Sequence, residues 1–73
     1  MMTIKHIDAG GHEEVVSLVS ASFDPETNIL IGHGVACKDG LGELMWTQGR
    51  AFLMNEQGKT VAVYNLDSSR SRR

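Results

Sequence analysis

Cysteine and proline are almost absent from this sequence. Each occurs once, as Cys37 and Pro25. A lone cysteine rules out an internal disulfide and fits a reducing compartment better than secretion. Long apolar runs are missing as well, and none approaches membrane-spanning length. The Met1-Met2-Thr3-Ile4-Lys5-His6 start is too polar to read as a signal peptide. The expectation is a soluble protein of the cytoplasm. With 73 residues the chain has room for one domain. A core of that size supplies only about 3–5 kcal/mol of net stability.

Catalytic and cofactor patterns are missing too. His6, His12 and His33 match no zinc spacing, and Cys37 is the only thiol. His33 and Cys37 share a strand face but lie about 13 Å apart, at about 3.3 Å of rise per residue. That exceeds hydrogen-bond reach for a nucleophile and its base. Glu13 and Glu14 are adjacent, so a strand points them to opposite faces. Gly10-Gly11, Gly32-His33-Gly34 and Gly40-Leu41-Gly42 open no helix and are followed by no Lys-Ser or Lys-Thr. They read as turn and curvature residues, not a phosphate cradle. No enzyme, cofactor, metal, membrane or small-molecule substrate is expected.

The charge is unevenly spread. The net charge is −2, yet the last six residues, Ser68 to Arg73, hold three of the seven basic side chains. Residues 1–67 carry nine acids against four basic groups, a formal charge of −5. An acidic body repels nucleic-acid phosphates and suits a basic protein partner. Nucleic-acid contact is expected at most through the Ser/Arg tail, residues 68–73, which reads as a disordered terminus.

What the sequence does contain is turn chemistry. Asp24-Pro25-Glu26-Thr27-Asn28 pairs a φ-fixing proline with an asparagine that tolerates the left-handed region. It is similar to the turn of a designed hairpin peptide, with Asn in place of Gly. Asp39-Gly40 is a two-residue hairpin signal, and Asn55-Glu56-Gln57-Gly58 reads as a type I turn closed by glycine. Glu13 to Ser22 reads as a strand, although a helix with a Val15, Val16, Leu18 and Val19 stripe stays open. The fold class expected is all-β. It is a strongly twisted antiparallel sheet of four to five strands, a hairpin meander or open barrel. One domain would span 1–67, with residues 1–12 as an extended arm carrying at most a short edge strand at Thr3–Ile7.

The turns set registers. The first pairs Phe23 with Leu30, Leu18 with Val35 and Ser20 with His33. The second pairs Val35 with Leu44 and His33 with Trp46, which would pack the imidazole beside the indole. Both place Val16, Leu18, Ile31, Val35, Leu44 and Trp46 on one core face. Gly49 predicts a bulge that flips the alternation and brings Ala51 and Leu53 back to the core, with Val61 and Val63 opposite them. The other face of that hairpin then carries Arg50, Phe52, Met54, Ala62 and Tyr64. Arg50, Phe52, Met54 and Tyr64 are the candidate partner-binding residues, since Arg, aromatics and Met are enriched at interfaces. A second mini-core there remains the alternative, and an edge strand is a further docking candidate.

From its Met1-Met2-Thr3-Ile4-Lys5-His6-Ile7-Asp8 start to its Ser-Arg tail, the chain resembles the very small transcription regulators that lytic phages of Xanthomonas direct at host RNA polymerase. The resemblance spans the whole chain and carries no diagnostic motif, so no site residue transfers with it. It implies binding to the N-terminal part of the polymerase β′ subunit, near the β flap and the RNA exit channel. It also implies displacement of the σ factor at initiation and read-through of intrinsic terminators. Two other readings remain. One is an inhibitor of a host nuclease or defence complex. The other is a small barrel that stacks single-stranded nucleic acid on Arg50, Phe52 and Tyr64.

Overall fold

The structure is a computed structural model and describes residues 1–67. The Ser/Arg tail lies outside the described residues. Seven strands run β1 (Met2–Ile7), β2 (Glu13–Leu18), β3 (Ser20–Asp24), β4 (Ile29–Cys37), β5 (Gly40–Trp46), β6 (Arg50–Met54) and β7 (Thr60–Asn65). They form two antiparallel sheets, ordered β2-β1-β6-β7 and β3-β4-β5. The all-β expectation holds, with more strands than the four to five expected. Glu13 to Ser22 is extended, and Val19 breaks it into β2 and β3.

The four-stranded sheet consists of two matching hairpins set side by side. In the first turn the Asp8 carboxylate accepts from the N–H of Gly10 (2.9 Å) and His12 (2.8 Å). The Asp8 carbonyl accepts from Gly11, and the Asp8 N–H donates to His12. In the second turn Asn55 does the same with Gln57, Lys59 and Gly58. Gly11 and Gly58 occupy the left-handed position, at φ 87 and 79. One side-chain acceptor thus organises each loop, and a glycine three residues later closes it. β1 and β6 pair through Ile4–Leu53 and lie at the centre of the sheet. Residues 1–12 are therefore no arm and no edge. Ile4 is fully buried there, and that burial is what draws β1 between two partners.

The three-stranded sheet is less regular. The first turn forms as read. Glu26 and Asn28 donate to Asp24, Asn28 has φ 60, and Phe23 faces Leu30. Leu18 departs from expectation by pairing with Met2 in the other sheet, not with Val35. The second hairpin closes at Cys37–Gly40, so Lys38 and Asp39 make the turn. A bulge between His33 and Val35, with Gly34 at φ 74, then shifts the register again. Val35 consequently faces Gly42, His33 faces Glu43, and Trp46 faces Leu30. The bulge also moves the core position of β4 from Ile31 to Leu30, which is fully buried.

Leu18, Val35, Trp46, Ala51 and Leu53 fill the core with Ile4, Leu30 and Leu66, and Val16 and Leu44 pack against it. Gly49 is not a bulge within a strand: it lies in the link between β5 and β6, where the chain passes from one sheet to the other, and Ala51 and Leu53 face the core from the new sheet. A second bulge follows in β7, where Met54 faces Thr60 but Leu53 faces Ala62. Val61 is the extra residue. Val61 and Val63 are consequently exposed, and Ala62 and Tyr64 turn inward. Asn28 clasps the two sheets where the ends of the β6–β7 hairpin are tied at Gly49. The Gly49 N–H donates to the Asp67 carboxylate (3.0 Å) and its carbonyl accepts from Leu66 (2.8 Å). The Asn28 amide, itself buried, donates to the carbonyls of Leu66 (2.7 Å) and Asn65 (3.3 Å). This contact explains why the turn carries asparagine where glycine would suit the backbone.

Candidate interaction faces

Each sheet turns one face to the core and one outward, and the outward faces differ in chemistry. On the four-stranded sheet the pairings align three rows across all four strands. They are Val15–Lys5–Phe52–Val63, Glu13–Ile7–Arg50–Asn65 and Ser17–Thr3–Met54–Thr60. Phe52, Met54 and Ile7 are half-buried by their neighbours, whereas Val15, Val61 and Val63 are exposed. Lys5 donates to the Glu13 carboxylate at 3.3 Å. The result is a sheet face with an apolar centre and two cations, Lys5, which is paired with Glu13, and Arg50. An exposed apolar face on a small chain is unusual for a domain that works alone.

The structure brings three of the four sequence-chosen residues together and separates the fourth. Arg50, Phe52 and Met54 share this face. Tyr64 lies on the core side of β7, where its ring stacks on Phe23 at 4.8 Å between centroids. The shift at Val61 is the cause. A stacking platform of Arg50, Phe52 and Tyr64 is therefore not assembled. Lys5, Ile7 and Val15 join this face, which an extended arm over residues 1–12 does not anticipate. The signal was present, since Asp8-x-x-Gly11 repeats the Asn55-x-x-Gly58 turn pattern.

At one end of this face lies a polar cleft of about 470 Å³, lined by Ile7, Asp8, Ala9, Gly49, Arg50, Asn65 and Asp67. Both of its carboxylates already accept backbone N–H groups. The Asp8 carboxyl is held below the usual carboxylate range, first by the N–H of His12 and then by that of Gly10, against an opposing desolvation. The cleft is thus built largely from turn supports. Among the described residues no three His, Cys, Asp or Glu side chains cluster to hold a metal.

The outer face of the three-stranded sheet carries Ser20, Ser22 and Asp24 on β3, Ile29, Ile31 and His33 on β4, and Leu41, Glu43 and Met45 on β5. His33 links three strands. Its Nδ1 donates to Glu43 (3.0 Å), since a carboxylate only accepts, and its Nε2 then accepts from the Ser22 hydroxyl (2.8 Å). Serine, imidazole and carboxylate stand in the order of a hydrolase relay. However, Ser22 lies on an open strand face, and the cleft described above is at the other sheet. His33 is thus not beside Trp46. His6 takes that place, 6.2 Å from the indole, donating from Nε2 to the Gln48 carbonyl (2.7 Å). The Cys37 thiol donates to the Val35 carbonyl and is not paired with His33.

No protein-family model matches this chain, and neither a curated protein nor a solved structure does. Among the described residues no helix is long and apolar enough to cross a membrane.

Proposed function

We propose that this chain is a phage-encoded regulator that acts in the host bacterial cytoplasm by binding RNA polymerase, without catalysis of its own. The observation that carries the protein-binding part is the outer face of the four-stranded sheet. There Phe52, Met54, Val15 and Val63 form an apolar field around Lys5 and Arg50. Burial of such a field against a partner yields about 25 cal/mol per Å² of apolar surface before the costs of association. Arg50, Phe52 and Met54 are its central contacts. The choice of polymerase rests on the whole-chain resemblance, which points to the β′ subunit near the β flap. Binding there would displace σ at initiation and favour read-through of intrinsic terminators. So small a protein acts by occupying a joint or by binding one conformation better than another.

The test is affinity capture from a Xanthomonas lysate. Retention of the β′ and β subunits is expected, with loss on Phe52→Glu. Capture of a nuclease or defence subunit in their place would move the function to inhibition of that complex. Binding of single-stranded oligonucleotides by residues 1–67 at low salt would move it to nucleic acid.

A further inference from the structure

The four-stranded face does not use the other sheet, and that sheet ends in an unusual edge. Four strands border the two sheets: β2, β3, β5 and β7. β5 is the longest of them, with seven residues. Free edges are commonly blunted by lysine, proline or shortness. β2 begins with Glu13-Glu14, β3 is short and runs into Asp24-Pro25, and β7 starts beside Lys59. β5 contains neither lysine nor proline, and Gly40 and Gly42 leave its backbone thinly covered. Its outward side chains are Leu41, Glu43 and Met45, and all three are well exposed, with Leu41 at 70% and Met45 at 60%.

We propose that β5 accepts an extended segment of a partner protein by strand addition, and that this segment carries a lysine or arginine between two apolar residues on one face. This deepens the protein-binding reading above and rests on it. The pattern follows from cross-strand geometry. A strand laid against β5 sets its outward side chains opposite Leu41, Glu43 and Met45 in turn. Leu41 and Met45 ask for apolar partners two residues to either side of the one that meets Glu43. The outer strand residues of this sheet include Asp24 and Glu43 and no lysine or arginine, and the Glu43 carboxylate, which accepts one bond from His33, stays well exposed. The acid therefore selects a cation, and the net negative charge of residues 1–67 draws the segment in. A second copy of this chain is a poor occupant. Two antiparallel β5 strands that match Leu41 with Met45 set Glu43 against Glu43, and like charges directly opposite are unfavourable.

The experiment titrates the capped peptide Thr-Ile-Thr-Arg-Thr-Ile-Thr into isotopically labelled protein and follows the backbone amides. Shifts centred on residues 40–46 are expected. The same peptide with glutamate for arginine should bind about fivefold more weakly or worse, and Glu43→Lys should reverse the preference. Met45→Lys, at an exposed position, should weaken both peptides without unfolding the domain. Equal binding of the two peptides, shifts centred on the four-stranded sheet, or concentration-dependent pairing of β5 with itself would each overturn the proposal. Polymerase capture separates the two readings. If Glu43→Lys and Met45→Lys retain the subunits as well as the wild type does, the β5 site falls and the general function stands. If the wild type retains none while the peptide binds β5, the polymerase reading falls alone.

Discussion

The two sheets share a core yet are built and decorated differently. The four-stranded sheet uses one turn design twice, with Asp8 and Asn55 each holding two backbone N–H groups. Its outer face has an apolar centre with Arg50 and the Lys5–Glu13 pair. The three-stranded sheet carries a bulge at Gly34, and its outer face holds a serine–histidine–glutamate link and no lysine or arginine. The unbroken pairing of β2, β1 and β6 thus produces continuous rows of side chains, which suit a broad protein contact. The shorter sheet offers an edge and a local acidic spot. The difference teaches that register, more than composition, determines which surface a small β-protein presents.

The comparison can be broken at its centre first. Ile4→Ala removes a fully buried side chain from β1, the strand by which one hairpin pairs with the other. A loss of about 3–5 kcal/mol is expected, comparable to the whole stability of such a domain, so thermal unfolding should find little cooperative structure left. Retention of a sharp transition would show that β1 is dispensable. Gly49→Ala comes next. Gly49 has φ 80, and an added Cβ would overlap the Ile7 carbonyl oxygen. A cost of at least about 2 kcal/mol is expected in denaturant titration.

Asn28→Gly tests the clasp between the sheets. Glycine suits the turn's backbone better, so a local view expects stabilisation. The carbonyls of Leu66 and Asn65 lose their donor, however, and a net loss of about 1–2 kcal/mol is expected. A gain in stability would mean the clasp contributes nothing. The smallest effect concerns the matched turns. The Asp8 carboxyl is lowered in the folded state. Its contribution is present above the unfolded carboxyl's pKa of about 3.9 and is lost as the pH falls through the folded value. Asp8→Asn copies the Asn55 turn without a titrating group. It should flatten the acid limb of the stability profile and leave stability at neutral pH nearly unchanged.

The fold class and the turns at Asp24–Asn28 and Asn55–Gly58 were legible in the sequence. So were the inward positions of Leu18, Trp46, Ala51 and Leu53, although the chain changes sheets at Gly49 where a bulge within one strand is expected. Local turn chemistry and alternation carry that information. What was not legible depends on single inserted residues and on distant pairing. Nothing in the β7 sequence marks Val61 as the extra residue, yet it turns Tyr64 away from Phe52 and Met54. Gly34 signals curvature in the sequence, but the bulge it makes there exchanges Ile31 for Leu30 in the core. β1 finds its second partner about fifty residues away, a pairing that local patterns do not encode. Of the candidate site, Arg50, Phe52 and Met54 stand together because β6 pairs without interruption along β1.

The central claim is that the outer face of the four-stranded sheet docks this chain on RNA polymerase. The most direct measurement is equilibrium binding of the protein to purified Xanthomonas polymerase, wild type beside Phe52→Glu, with folding of both checked by thermal unfolding. The expected result is saturable binding by the wild type and at least about tenfold weaker binding by a folded Phe52→Glu, the loss of one central aromatic contact worth about 1.4 kcal/mol or more. Equal binding by both proteins, or none by the wild type, would contradict it.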